Sequence, residues 1–457
     1  MPSRPSVHAA FFGIAAVALG IAINAANGTL TPDAIEALNV SCGAVLLALV
    51  WPSGRCDDPL RGRKTGWLTL LLLLGIAWEV GLLIVTPPLL YGRFRSGDLP
   101  VFFREAAAAG VVSGALSFAP RAARRALIAA LVIAHGAIGL WAIHASPEPH
   151  IDVFYFQRDS CAALLRGANP YTITFPNIYG DATPFYGPHV SVRGRLQFGF
   201  IYPPLSLFLS LPGYLLGDFR YSQLFAIEAA AVLMAFMRDG AIGSLAAALL
   251  LLSPRSIFVL EQGWTEPYVV LLLAATVFAA CRAPRALPYA LGLLLCVKQY
   301  LFLALAPSAL LIPWRDARRT RMFVLKVALT AVVVTLPLAL WNPRAFWFDN
   351  VGFQLQQPMR ADALSYLVWF SRDRASPYPV WASFLVTGMV TALGLWRLPR
   401  TPAGFAAAIA AASLAFFATS KQAFANYYFF VIGAMCCTVA AQELRPPLAS
   451  RVEQPSS

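Results

Sequence analysis

The stretch GWLTLLLLLGIAWEVGLLIV, residues 66–85, holds a single ionisable side chain, Glu79. About 20 mostly apolar residues suffice to cross the hydrocarbon core of a bilayer, so this segment reads as a membrane span. Toward the N-terminus, Ala9–Ala26 carries no charge, and Ala37–Trp51 is shorter but also apolar. Toward the C-terminus follow Val101–Ala119, Ala126–Ala142, Phe198–Leu216, Met322–Leu340, Pro379–Leu395, Ala403–Thr419 and Asn426–Ala440. Further apolar segments, several of them short, lie between Leu224 and Ile312. The expectation is an all-α, polytopic transmembrane helix bundle of about 11–13 spans, a single domain over residues 1–457. Small residues at Asn24-Ala25-Ala26 could pass for a signal-peptide cleavage site. A retained first helix fits better, because many spans follow and Arg4 alone firmly marks a basic leader.

Composition agrees: 58% of the chain is hydrophobic and only 12% charged, against roughly 25% charged in soluble domains. The net charge of +13 would suggest nucleic acid in a soluble protein. Here the basic residues sit in short loops beside spans: Arg55, Arg61, Arg63 and Lys64, then Arg121, Arg124 and Arg125. Arg315, Arg318, Arg319 and Arg321, and Arg397 with Arg400, repeat the pattern. That is the positive-inside signature, so no nucleic-acid partner is implied and the natural partners are membrane lipids. The seven cysteines include one, Cys161, in a long loop, and show no disulfide framework or zinc spacing. Walker motifs, Gly-rich phosphate loops, outer-loop Asp-x-Asp and Cys–His pairs are also absent, so neither a cofactor nor a metal is expected.

With the basic loops and the N-terminus in the cytoplasm, two long polar segments, 144–197 and 342–376, fall on the outer face. Connections longer than about 15 residues are usually functional or disordered. The first is rich in aromatics (Phe154, Tyr155, Phe156, Tyr171, Phe175, Tyr179, Phe185, Tyr186), which argues for order at the membrane–water interface. Within it, 153–166 reads as a short interfacial helix after the fifth span, with Asp152 at the N-cap, Gly167 as the stop and Asn169-Pro170 beyond. Phe154, Cys161 and Leu165 share one face of it. In the middle region, Glu261–Pro267 (EQGWTEP) is polar inside apolar sequence, and Leu287–Val297 and Leu301–Ile312 read as two half-helices around Lys298-Gln299-Tyr300. Broken helices at membrane depth are tolerated where they are buried in protein or line a cavity.

Three pieces occur in order: IDVFYF (151–156), AALLRGANPY (162–171) and FIYPP (200–204). Together they resemble the membrane-embedded C-type glycosyltransferases that use polyprenyl-phosphate sugars, and are most similar to glycosyltransferase family 87, with its bacterial alpha-mannosyltransferase-like proteins. The pattern is an Asp before an amphipathic helix, a Gly-x-Asn-Pro-Tyr turn, and a span opening on Tyr-Pro-Pro; a weaker echo covers 261–314. The chain departs from it in placing several spans ahead of Asp152, in reading Glu261-Gln262-Gly263, and in having Gln299 after Lys298.

The resemblance implies an integral protein of a bacterial inner (plasma) membrane that moves a sugar, mannose in the nearest branch, from polyprenyl phosphate to a lipid, glycan or protein acceptor. Asp152 would be the general base, with inversion at the anomeric carbon; its bland role is a helix cap. Lys298 would hold the departing donor phosphate, or else be a bundle-interior lysine; Lys421 is a second candidate, or a helix-end anchor. Tyr155, Arg158, Asp159, Asn169, Tyr171, Tyr202, Glu261, Gln262 and Trp264 are substrate-binding candidates. The competing roles are a salt bridge for Asp159, a helix start at Tyr202-Pro203-Pro204, and a loop or helix end for Glu261 and Glu266. His144, His150 and His189 lack metal spacing. Glu79 and Glu228 lie within apolar segments and read as structural. A transporter or flippase for a lipid-linked substrate, or a non-catalytic subunit of envelope assembly, would share much of this pattern.

Overall fold

Apolar runs punctuated by Pro, Gly and capping hydroxyls fold into helices throughout a computed structural model of the chain, which describes residues 5–51, 64–94, 98–183, 185–187, 190–372, 374 and 378–442. Arg4, Arg55, Cys56, Arg61, Arg63 and His189 lie outside the described residues. Five helices precede the first long loop: α1 (Pro5–Ala25), α2 (Pro32–Val50), α3 (Lys64–Val85), α4 (Asp98–Ala115) and α5 (Arg121–Ala145). The loop opens with α6 (Asp152–Leu165). Then come α7 (Pro204–Leu215), α8 (Arg220–Phe236), α9 (Ala241–Leu251), α10 (Ser256–Glu261), α11 (Glu266–Arg282), α12 (Leu287–Leu295) and α13 (Ala317–Trp341). The second long loop holds α14 (Pro343–Trp347), α15 (Phe353–Gln356) and α16 (Tyr366–Ser371), and α17 (Trp381–Arg397), α18 (Pro402–Ala418) and α19 (Ala425–Ala440) close the bundle.

Among the described residues, α1, α2, α3, α5 and α13 are long and apolar enough to cross a membrane, which makes this a multi-pass membrane protein. The core is centred on α19 and α18, whose side chains are almost all buried. Small residues set the closest approaches. Gly28, at φ +78°, brings the α1–α2 turn onto α19, where any Cβ would lie 2.3 Å from the Ala425 nitrogen. Gly20 leaves room for the Glu79 carboxyl, which is wholly buried between α1 and α3. Glu228 approaches His135 on α5 at 3.7 Å.

Three expectations from the sequence change. The segment expected over 37–51 is a full span, α2, that starts earlier. Pro32 has no N–H to leave unpaired, the Thr31 hydroxyl accepts the Ala34 amide at 3.3 Å, and Asp33 and Glu36 are tolerated near a helix N-terminus. The single span expected over 198–216 is instead the short α7, which starts only at Pro204. Pro212 and the left-handed Gly217 end it, and the chain bends by 111° into α8. Of the two half-helices, only α12 is α-helical. Residues 299–304 and 307–310 form 3₁₀ turns, because Pro307 cannot donate to the preceding turn.

The two long loops meet. In the first, the strands β1 (Phe175–Pro176), β2 (Ser191–Val192) and β3 (Arg195–Leu196) pair antiparallel in the order β1-β3-β2. Behind them Phe156, Phe175, Phe198 and, from the second loop, Phe353 form a separate core, with the Phe198 and Phe353 rings 4.2 Å apart. Each such buried ring contributes about 1.5–3 kcal/mol. The loop aromatics expected at an interface therefore give this region its own interior. The Asp349 carboxylate of the second loop accepts the Gly199 amide at 3.1 Å. Gly199 is required there, since a Cβ would fall 2.5 Å from the Tyr171 backbone.

Candidate active site

Asp152 stands in the first turn of α6. The N-cap is Ile151, in extended conformation, one residue earlier than the sequence suggested. Asp152 nevertheless serves the helix start, because its Oδ1 accepts the Val153 amide at 2.8 Å. α6 packs on α7 and buries Val153, Phe156, Gln157, Ser160 and Cys161, leaving Asp152 at the edge of that face. Leu165, which shares a face with Phe154 and Cys161 by helical spacing, is exposed where those two are buried. Gly167, at φ +72°, then turns the chain away.

Two tyrosines from the first loop close over the carboxylate. The Tyr186 hydroxyl donates to Asp152 Oδ2 at 2.5 Å, and the Asp152 amide donates to the Tyr179 hydroxyl oxygen at 3.2 Å. Burial pushes the Asp152 carboxyl above the ordinary range, opposed by the Tyr186 hydroxyl, the Val153 amide and the Arg360 guanidinium. Burial, and then the neighbouring Asp152 charge, hold both tyrosine hydroxyls firmly protonated. The result is a half-buried carboxylate with one oxygen on the backbone and the other on a phenol.

Tyr202 and Tyr427 each lie within electrostatic range of both Asp152 and Glu266, the latter in the broken-helix region. There the Lys298 ammonium pairs with Glu266 at 3.1 Å, donates to the Thr265 hydroxyl at 2.5 Å, and sits 3.9 Å from the centre of the Tyr202 ring. It is only 4% exposed. Lys298 is thus committed to protein partners. So is Lys421, which donates to the Leu355 carbonyl at 3.1 Å and to that of Gln357, tying the second loop to the α18–α19 connection.

The remaining candidates divide clearly. Asn169 Oδ1 accepts the Tyr171 amide at 2.9 Å, and the Tyr171 hydroxyl donates to the Tyr202 carbonyl at 2.7 Å. The Asn-Pro-Tyr turn is thereby bolted to the Tyr-Pro-Pro helix start. Tyr155 lies under the Arg158 guanidinium, 4.8 Å away, and Arg158 pairs with Asp159 at 2.9 Å and Glu148 at 3.2 Å. These three occupy the outer side of α6, and Asp159 is in the salt bridge. Glu261 accepts the Leu90 and Tyr91 amides at 2.7 Å each, with Gln262 donating to it at 3.2 Å. Trp264 packs on Phe258 and borders both cores. Glu261, with Gln262 on it, therefore holds the α3–α4 connection, whose Tyr91 lies within electrostatic range of both Glu261 and Asp152. His144 bonds Tyr221, and His150 packs on Tyr91 and Tyr179.

Reading residues alone missed four groups. Tyr179 and Tyr186 were visible only as loop aromatics. Arg220, wholly buried, bonds Asp218 and the Ser146 and Glu261 carbonyls, fixing the entry to α6. Arg360 was hidden by its neighbour Asp362, which makes Arg-Ala-Asp look like an ordinary solvated pair.

Tyr186→Phe tests the phenol–carboxylate bond. The carboxyl titration of Asp152, followed by infrared difference spectroscopy of the purified protein, reports its pKa. Removing a donor that stabilises the charged form raises that pKa. The midpoint is expected to move to higher pH by about one pH unit; a midpoint that stays or moves to lower pH would show that the bond does not act on the carboxylate.

No known family model matches the chain, and it matches neither a curated protein nor a solved structure.

Proposed function

We propose that the protein is a glycosyltransferase that moves a hexose, mannose as the first choice, from polyprenyl phosphate to a lipid, glycan or protein acceptor at the outer face of a bacterial inner membrane. About 11–13 crossings would then include the shorter helices beside the five long ones, and both long loops would be extracytoplasmic. The observation carrying this reading is the Asp152 carboxylate, held in the first turn of α6 outside the long spans, bonded to the Tyr186 hydroxyl and within electrostatic range of the Arg360 guanidinium.

In the proposed step the acceptor hydroxyl gives its proton to Asp152 while its oxygen bonds to the anomeric carbon. The bond from that carbon to the phosphate oxygen breaks, and the electron pair leaves with the phosphate. The configuration inverts, and the phosphate goes from one negative charge to two. The donor brings its own leaving group, so the protein's work is positioning, proton removal and stabilisation of the growing charge.

The test is incubation of the purified protein with radiolabelled polyprenyl-phosphate hexoses and a membrane lipid extract. Label entering a new product from at least one donor is expected. Label that stays on every donor counts against the reading.

A further inference from the structure

We infer that Arg360, from the second long loop, is the phosphate-binding residue of this site, and that it takes an isoprenoid phosphate with the first prenyl unit against Phe185 and Phe424. This rests on the transferase reading for its biological meaning but not for its test.

The backbone around Arg360 is laced to its surroundings. Its amide donates to the Lys421 carbonyl at 3.0 Å, and the Ala363 amide donates to the Arg360 carbonyl at 3.1 Å. Leu30 donates to the Asp362 carbonyl at 2.9 Å, and Leu364 to that of Ala423 at 2.9 Å. With Lys421 and Gln422 bonded to the carbonyls of Leu355 and Pro358, the segment is fixed between the α1–α2 turn and the α18–α19 connection. A rigid support of this kind is what a binding side chain needs.

The guanidinium lies over two rings, 3.9 Å from the centre of Phe185 and 5.1 Å from that of Phe424. Nε and Nη2 donate to the two oxygens of Asp362 at 2.9 and 2.7 Å. Asp362 is 44% exposed, so water screens it and it orients the fork more than it neutralises it. Nη1 donates to no protein group among the described residues, and the side chain is 22% exposed. An arginine with one edge anchored, its faces on aromatic rings and its other edge open is suited to phosphate oxygens.

Its position matches the chemistry. Arg360 is close enough to Asp152, Tyr179 and Tyr186 to act on all three electrostatically. The leaving phosphate gains a charge as the base gains a proton, so cation and carboxylate belong on opposite sides of one reacting centre. Lys298 and Lys421 each place two of their three N–H donors on protein groups, Glu266 and Thr265 for the first and the Leu355 and Gln357 carbonyls for the second. Phe185 and Phe424 supply the apolar wall that a prenyl chain requires and a free phosphate does not.

The experiment is native mass spectrometry of the full chain in phosphatidylcholine nanodiscs, titrated with farnesyl phosphate, with farnesol and short-chain phosphatidylglycerol as comparators. Arg360→Ala is expected to weaken farnesyl phosphate binding about tenfold to a hundredfold, with Arg360→Lys intermediate because it keeps charge but not the fork. Farnesol is expected to bind the parent and both variants alike. Unchanged farnesyl phosphate affinity in Arg360→Ala overturns the assignment, as does the same result in Arg360→Gln should the alanine variant not fold. Phosphatidylglycerol competing equally overturns the isoprenoid part, leaving a general headgroup site. Arg360-dependent binding without sugar transfer from any donor upholds this inference while removing the transferase reading.

Discussion

Asp152→Asn is expected to reduce sugar transfer by about 10²–10⁴-fold while the protein purifies, elutes and melts like the parent. Asparagine keeps an oxygen for the Val153 amide, bonded at 2.8 Å, and remains acceptable at a helix start. Its amide nitrogen then takes the place of Oδ2, so the contact with Tyr186 persists with the roles reversed, the phenol oxygen accepting from Nδ2. What it loses is basicity. The prediction separates the rival functions: a translocating protein not coupled to protons through this residue would keep its activity. A scaffold subunit would register at most a capping loss of about 1 kcal/mol. Transfer within a few-fold of the parent would remove Asp152 from the chemistry.

Lys298→Met is expected to cost about 3–5 kcal/mol of stability, because it leaves the Glu266 carboxylate, wholly buried and 3.1 Å from the lost ammonium, without its partner. Thermal unfolding in detergent reads this as a lowered midpoint. Lys298→Met with Glu266→Gln should recover much of the loss, since the uncompensated charge has gone. The contrasting outcome is specific: a Lys298→Met protein as stable as the parent but unable to bind farnesyl phosphate would return Lys298 to the phosphate.

The sequence made some of this legible and hid the rest for physical reasons. The start of α6 could be read, because an acidic residue ahead of a periodic run and a glycine after it are local signals. The five long spans could be read too, since a run such as Gly66–Val85 has no competing interpretation. The fate of 198–216 could not: hydropathy scores Phe198 through Phe200 like helix interior, yet Gly199 is held by Asp349, far along the chain. The roles of Lys298 and Glu261 were equally closed. Each polar group looked available until its partner, Glu266 for one and the Leu90 and Tyr91 amides for the other, was placed by the tertiary fold. Arg360 illustrates the converse, a residue with no local signature that gains meaning from Phe185 and Phe424.

The measurement that bears most directly on the outward placement of the Asp152 carboxylate is labelling of single cysteines by a membrane-impermeant maleimide in intact cells. Ala182→Cys lies on the exposed part of the loop that covers Asp152, and Arg318→Cys on the exposed, basic first turn of α13. Labelling of position 182 without permeabilisation, and of position 318 only after it, is the expected result. Position 182 reacting only after the membrane is opened would put Asp152 on the cytoplasmic side and contradict an outer-face transferase.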